Sequence, residues 1–418
     1  MQIIGPAPRR NPTPLPEPAA DALIVAEFAH LRGPYLDVAA RGPLPTSALH
    51  AAEAVLRAQA EGVVPKAEWL ALVETVRAQA AALIGAAPEE VAFTRNVSDG
   101  LNIVGAGLRL GRGERVVIAP AAEHPNNVFP WLWQARTRGA DLVQVTPLPG
   151  EALEAAIIRH IDAATRLVAV TAVDFATGRR TDLAAIGAAC RDRGAFLLVD
   201  AAQSAGVLAH DMAVLPVDGW ACAVQKGLLG PYGLGLLYLR RAWVDRILPV
   251  ALARFSVELA AGHEAAGPED GWRLRPGAGR FEIGNYNYIA IAALGASLDL
   301  LARIGPEAVE RRALAAAARL RAALDRLGLP MLEVPPAHRS HILAIAAQQG
   351  SGHDRSEVPW VNALSASLTR AGVAHSLRRG ALRLSTHFHL FPTALELAIA
   401  GIEAWSRQAG GGFDAATR

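Results

Sequence analysis

Along the middle of the chain, short apolar runs rich in Val, Leu and Ala alternate with helix-length amphipathic stretches. The pattern predicts strands over 91–94, 115–120, 141–146, 167–175, 195–201, 220–224 and 235–239. Several of these are apolar throughout rather than alternating, which is the mark of strands covered on both faces. Helical spacing fills most of the gaps, as in 182–194. Strands alternating with helices predict an α/β fold with a mainly parallel, doubly wound sheet. Ligands of such a sheet gather at the carboxyl ends of its strands.

Before this block, residues 1–20 are rich in proline and arginine and read as an irregular arm. Helices are expected over 20–30, 46–60 and 66–85, with a short strand entering a turn at 35–43. After it, 289–304 reads as an apolar helix bridging to a second domain, and 307–327 as a long amphipathic one. Strands at 342–346 and 381–385 with helices at 365–371 and 394–408 make a smaller α+β domain. The expected division is therefore an arm (1–20), a large domain (21–300) and a small C-terminal domain (301–418), with a frayed tail after Gln408.

Composition narrows the picture. Apolar residues are 52% and charged ones 19%, so the chain folds around a core and is not disordered. The net charge of +2 comes without a basic stripe, which argues against nucleic acid and anionic membrane as partners. Two cysteines, Cys190 and Cys222, make no disulfide framework and fit a reducing compartment. Prolines interrupt the first residues before any signal core, and no apolar run is long enough to span a membrane. The expectation is a soluble, cytoplasmic protein.

The chain has two lysines, Lys66 and Lys226, among 41 basic residues. Lys226 follows an apolar strand and precedes Gly227-Leu228-Leu229-Gly230-Pro231-Tyr232-Gly233. A partly buried amine loses its proton and attacks a carbonyl, which a guanidinium does not; the plain alternative is a chance lysine at a strand end. In Val199-Asp200-Ala201-Ala202-Gln203-Ser204 a carboxylate ends an apolar strand, so Asp200 calls for a cationic partner, unless it only caps a turn. Asn96-Val97-Ser98 offers amides and a hydroxyl at a helix start, suited to an anion or to ordinary capping. His124, after the second strand, stacks on a flat ring, shuttles a proton or is structural. An amine for an aldehyde, a carboxylate for a ring nitrogen, a helix start for a phosphate and a ring for stacking are the four partners that pyridoxal 5′-phosphate (PLP) requires.

The order and spacing of these residues resemble the class V aminotransferase family. That family includes cysteine desulfurases, selenocysteine lyases and isopenicillin N epimerase-like enzymes. The resemblance runs from Tyr35-Leu36-Asp37 to Leu382-Arg383-Leu384-Ser385. It implies PLP fold type I, with Lys226 holding PLP covalently, Asp200 on the pyridine nitrogen, Gln203 on the ring hydroxyl and His124 over the ring. Val97, Ser98 and Gln225 would contact the phosphate; Gln225 stands where many relatives have histidine. Arg383 would bind the substrate carboxylate, its bland alternative being an exposed strand residue, and Arg378 would add a second anion contact. Ala39 and Phe175 would also line the substrate position. Arg280-Phe281-Glu282-Ile283-Gly284-Asn285 resembles a loop that reaches a partner's phosphate, which implies a homodimer with shared active sites and Asn285 in that role.

Departures from the desulfurase pattern shape the expected activity. No cysteine follows Cys222, so a persulfide-forming desulfurase is not expected. Phe175 replaces an asparagine that contacts ring hydroxyl and substrate in desulfurases. The Gly230-Pro231-Tyr232-Gly233 and Leu377-Arg378-Arg379-Gly380 segments stand closer to the epimerase-like branch. The expected function is a PLP enzyme acting at the α-carbon of a small amino-acid substrate, aminotransferase-like, with epimerase or C–S/β-elimination lyase as the alternative. A non-catalytic binding module on the same fold is the reading from another class; intact Lys226, Asp200 and His124 oppose it. Gly105-Ala106-Gly107 and Gly233-Leu234-Gly235 lack the context of a dinucleotide fingerprint. His387-Phe388-His389 lacks suitably spaced acidic or cysteine partners, so no metal is expected.

Overall fold

The computed structural model describes residues 13–63, 65–259 and 271–408. Most of the expected arm (1–12) and the tail after Gln408 lie outside the described residues. The main sheet has seven strands: β1 (Val91–Thr94), β2 (Arg115–Ile118), β3 (Asp141–Gln144), β4 (Thr165–Thr171), β5 (Phe196–Asp200), β6 (Gly219–Ala223) and β7 (Gly235–Leu239). Their order is β1-β7-β6-β5-β4-β2-β3. The β3–β2–β4–β5–β6 pairings are parallel, while β7 runs antiparallel to both β6 and β1. The sheet is thus mixed at one side. The physical reason is the β6–β7 connection, residues 224–234, which contains no crossover helix to bring the chain back to the starting end.

Two reversals return β1 to the direction of β6. Register then aligns the strand ends: Thr171 pairs with Asp200, Asp200 with Ala221, Ala223 with Gly235, and Gly235 with Thr94. Everything that follows β1, β2, β4, β5 and β6 therefore emerges at one edge of the sheet. Alternate residues face opposite cores. Val117, Leu197 and Val199 pack with Val73, Val76, Ile291 and Leu294 on one side. Val116, Ile118, Phe196 and Leu198 pack with Leu101, Val104 and Trp131 on the other. Each such side chain contributes about 1.5–3 kcal/mol on burial.

A hairpin, β8 (Val257–Leu259) with β9 (Trp272–Leu274), was not foreseen from the pattern. Toward the C-terminus, β10 (Ile342–Ile345), β11 (Ser376–Arg378) and β12 (Ala381–Ser385) form an antiparallel sheet in the order β10-β12-β11. Its core joins Leu343, Leu382 and Leu384 to Leu320, Val361, Ile402 and, from far upstream, Leu36. Other departures are local. The first helix starts at Glu17, inside the expected arm, with Pro18 in its first turn, where proline is tolerated. The expected strand at 35–43 makes isolated bridges, Tyr35 to Ala374 and Asp37 to Ser385, and then turns as Ala40 and Arg41 donate to the Asp37 carbonyl. The expected strand at 167–175 stops at Thr171, because the Asp174 carboxylate accepts from the Ala176 amide (2.8 Å) and the Thr177 hydroxyl (2.7 Å) and bends the chain. No single helix among the described residues is long and apolar enough to cross a membrane.

One buried ion pair fixes the segment that carries Asn285. Arg77 donates to both Glu282 oxygens, at 2.6 and 3.0 Å. Glu282 also accepts from the Phe93 amide (2.7 Å) and the Tyr286 hydroxyl (2.6 Å). Glu282→Ala would leave Arg77 buried without this partner. The expected loss is about 3–5 kcal/mol, read as a lower midpoint in urea unfolding; an unchanged midpoint would show that the pair is not structural.

Candidate active site

Three loops meet at the aligned strand ends. Lys226 follows β6, and its peptide is covered by the 35–43 loop: the Gly42 amide donates to the Gln225 carbonyl at 2.7 Å, and a Cβ on Gly42 would lie 2.3 Å from the Lys226 carbonyl oxygen. The Asp200 loop presses on the other side. Gly206 has φ +75°, and a Cβ there would meet the Gly227 oxygen at 2.4 Å, so both space and backbone conformation call for glycine.

The Lys226 amine has no hydrogen-bond or ion-pair partner among the described residues. Burial pushes it down to about 8, with the Asp200 charge pulling back up and Arg383 and Arg378 pushing further down. Asp200 is buried and its Oδ1 accepts from the Ala202 amide at 2.9 Å. Burial raises this carboxyl, opposed by the Ala202 hydrogen bond and the Lys226 charge. Behind it, Glu123 accepts from the Thr171 amide (2.7 Å) and the Asn127 side chain (2.8 Å). Burial, with Asp200 and Asp174 nearby, holds Glu123 well above the usual carboxylate range.

His124 starts a short turn in which its Nδ1 accepts from the Asn126 amide at 3.2 Å. Burial and the neighbouring Lys226 and Arg379 charges push it down to about 4, so it is neutral near pH 7. Its ring meets Phe175 edge-on, with centroids 4.9 Å apart. The Arg379 guanidinium lies over the same Phe175 ring at 4.9 Å and donates to the Ala121 and Glu123 carbonyls (2.7 and 3.2 Å). Phe175 thus joins His124 to the β11–β12 turn.

Gln203 donates through Nε2 to the Ala39 carbonyl at 2.9 Å, and the Ala39 amide donates to Ser385 Oγ at 2.9 Å. Arg383 is 1% exposed, so its reading as an exposed strand residue is wrong. It donates to the Phe175 carbonyl (2.8 Å) and to Ser376 Oγ (3.0 Å), and its Nη2 is 3.8 Å from Asp37. Burial lowers the guanidinium to about 10, with Asp37 opposing, so it stays charged at neutral pH. Burial raises Asp37, against the Ser376 hydroxyl and the Arg383 and Arg378 charges. Arg378 pairs with exposed Asp354 at 3.2 Å.

Val97 and Ser98 open the helix Val97–Gly107, capped by Asn96, which accepts from the Asp99 amide. The helix starts where β1 ends, so its first amides face the same sheet edge. Gln225 is half-buried beside Lys226. Asn285 is not brought to Lys226 within the chain. It is exposed in a groove of about 870 Å³ lined also by Thr94, Arg95, Trp133 and Ile283, and none of Lys226, Asp200 or His124 lines that groove. Asp37, Glu123 and Arg379 were missed from the sequence. The signal was present for the first two: each is a carboxylate beside apolar residues, the argument that singled out Asp200.

The residues fit PLP on their own chemistry. Asp200 is a buried carboxylate without an ion pair, suited to a protonated ring nitrogen. Gln203 Oε1 is buried and has no protein partner, so it is placed to accept from a hydroxyl. Arg383 Nε is likewise unpaired. The aligned strand ends, the free amine and the helix start define a PLP-dependent enzyme of fold type I, with PLP as its cofactor. The model of the class V aminotransferase family matches residues 34–359, and the chain belongs to that family.

Its relatives include a probable cysteine desulfurase of Methanothermobacter thermautotrophicus, 34% identical over 283 residues, or 66% of this chain and 68% of the relative. A cysteine desulfurase of Klebsiella pneumoniae is 31% identical over 342 residues, or 77% of this chain and 79% of the relative. Among solved structures, a cysteine desulfurase from Thermococcus onnurineus superposes with a TM-score of 0.80 at 25% identity, over 95% of this chain and 99% of that one. The cystine C–S lyase C-DES superposes with a TM-score of 0.78 at 24% identity, over 90% of this chain and 98% of that one, and shares the fold.

Proposed function

We propose that this enzyme acts at the α-carbon of an amino-acid substrate, with Lys226 as the proton-transferring base and Arg383 as the anchor of the substrate carboxylate. The observation that carries the reading is that an unpartnered lysine amine and a buried carboxylate without an ion pair, Asp200, stand at the same strand ends. Bound PLP supplies an electron sink for the pair left on the α-carbon. Lys226 takes and returns the α-proton, its lowered basicity keeping a useful neutral fraction near pH 7. Asp200 would hold a proton on the ring nitrogen, Gln203 Oε1 would accept from the ring hydroxyl, and the Val97 and Ser98 amides would donate to the phosphate. His124 and Phe175 wall the cleft from water.

Aminotransfer is the first outcome these residues serve. A second, C–S β-elimination, is favoured by the relatives named cysteine desulfurases. A persulfide on the protein is not part of it. Cys190 and Cys222 are both fully buried, and burial pushes Cys190 up to about 12 and Cys222 higher still. We further place the enzyme in a homodimer, in which the exposed Asn285 and its groove meet the partner's cofactor phosphate. Single turnover with a panel of amino acids, L-cysteine included, separates the outcomes. Aminotransfer yields a keto acid and the amine form of the cofactor without ammonia. Elimination yields ammonia and leaves the aldehyde form. No spectral response to any amino acid would overturn the reading.

A further inference from the structure

In the sequence, His387 is half of a His-x-His pair that lacks suitably spaced acidic or cysteine partners. Among the described residues, no group of three or more His, Cys, Asp or Glu side chains is arranged to hold a metal ion. What His387 touches is instead the lysine loop. It lies just past β12, fully buried, with Nε2 3.0 Å from the Gly227 carbonyl oxygen and Nδ1 accepting from the Phe388 amide at 2.8 Å. These two partners require the neutral tautomer with its proton on Nε2.

The Gly227 carbonyl belongs to the Gly227–Leu228 peptide, one residue past Lys226. The segment around it is closely packed: a Cβ at Gly227 would meet the Ala205 oxygen and the Val207 side chain, each at 2.4 Å, and one at Gly206 the Gly227 oxygen at 2.4 Å. A buried carbonyl needs a donor, and His387 provides it. The same short stretch of chain carries Arg383 in β12 at one end and His387 at the other.

We propose that His387 is a positioning residue for Lys226, fastening the lysine loop to the strand that carries the carboxylate anchor Arg383. This rests on the reading that Lys226 carries PLP and Arg383 holds the substrate carboxylate. One rigid segment then sets the spacing between amine and anchor, a spacing on which a shift of about 1 Å costs on the order of 10²-fold in rate. The surroundings keep the ring neutral. Burial pushes His387 down to about 4, against the favourable Gly227 and Gly206 backbone interactions. His389 stacks on it at 5.4 Å, and His341 is buried too; burial lowers both, His341 to about 3.

The test compares His387→Gln with His387→Met in the full-length holoenzyme. The two side chains are close in length, and only glutamine can donate. Two readouts avoid the unidentified substrate: the pH midpoint of the visible band of bound PLP, and the Kd for PLP from titration of the apoenzyme. The midpoint reports on Lys226 and the charges that face it, Asp200, Arg383, Arg378 and His124. Glutamine is expected to keep both readouts near wild type. Methionine is expected to weaken PLP binding about tenfold, the loss of one hydrogen bond, and to move the midpoint by about one pH unit. Should the methionine variant not fold, His387→Asn, polar but too short to reach Gly227, takes its place with the same expectation. A donor-less variant indistinguishable from wild type, or a glutamine variant as impaired as methionine, would overturn the proposal. A wild-type protein that forms no band at all would instead overturn the reading of Lys226 on which it rests.

Discussion

Lys226→Ala is expected to remove the visible band of the internal cofactor linkage and to lower turnover by about 10²–10⁴-fold, the range for a lost general base. The fold should persist. The Lys226 amine makes no ion pair or hydrogen bond among the described residues, while the Lys226 carbonyl accepts from the Leu229 amide at 3.0 Å and the adjoining backbone is held by the Gly42 amide to Gln225 on one side and by His387 to Gly227 on the other. Removing an amine that burial already pushes down to about 8 relieves a desolvated charge rather than breaking a contact. For the two apoproteins, thermal unfolding at or slightly above the wild-type temperature, together with lost turnover in the presence of PLP, is the combined expectation. Turnover retained by this variant would mean that another group takes the α-proton.

Arg383→Ala is expected to act on two measurable quantities at once. Losing the carboxylate anchor should lower kcat/KM by about 10²–10³-fold, the worth of one or two hydrogen bonds to a charged partner. Losing the cation beside Asp37 should also destabilise the protein, by up to about 3–5 kcal/mol if that carboxylate stays ionised. The two effects separate in a second variant. Asp37→Asn on the Arg383→Ala background removes the unpaired charge and is expected to restore much of the denaturant midpoint without restoring kcat/KM. Recovery of both together would mean that Arg383 serves only to neutralise Asp37.

The sheet was largely legible because its strands are covered on both faces, and an unbroken apolar run such as Phe196–Val199 has few other places to go. Lys226 stood out because lysine is rare here, and Asp200 because a carboxylate is costly at the end of such a run. The antiparallel β7 was hidden in the length and content of one connection. β8, β9 and β11 have three residues each, too few for a period to emerge. Contacts that close the site join residues far apart in sequence: Asp37 with Arg383, Gln203 with Ala39, Arg379 with Phe175 and His387 with Gly227. No local pattern encodes such pairs. Arg383 is a case in point, since one charged residue in a short strand looks the same whether it faces solvent or a buried carboxylate. Asn285 is a different case, because its expected contact is with a second copy of the chain.

The most direct measurement follows from the chain's having two lysines. Holoenzyme is treated with borohydride to fix the cofactor to whatever amine holds it, then cleaved, and the peptides are weighed by mass spectrometry. The account predicts the added pyridoxyl phosphate mass on the peptide containing Lys226 and none on the peptide containing Lys66. A mark on Lys66, or protein that binds PLP but leaves Lys226 unmodified, would contradict it.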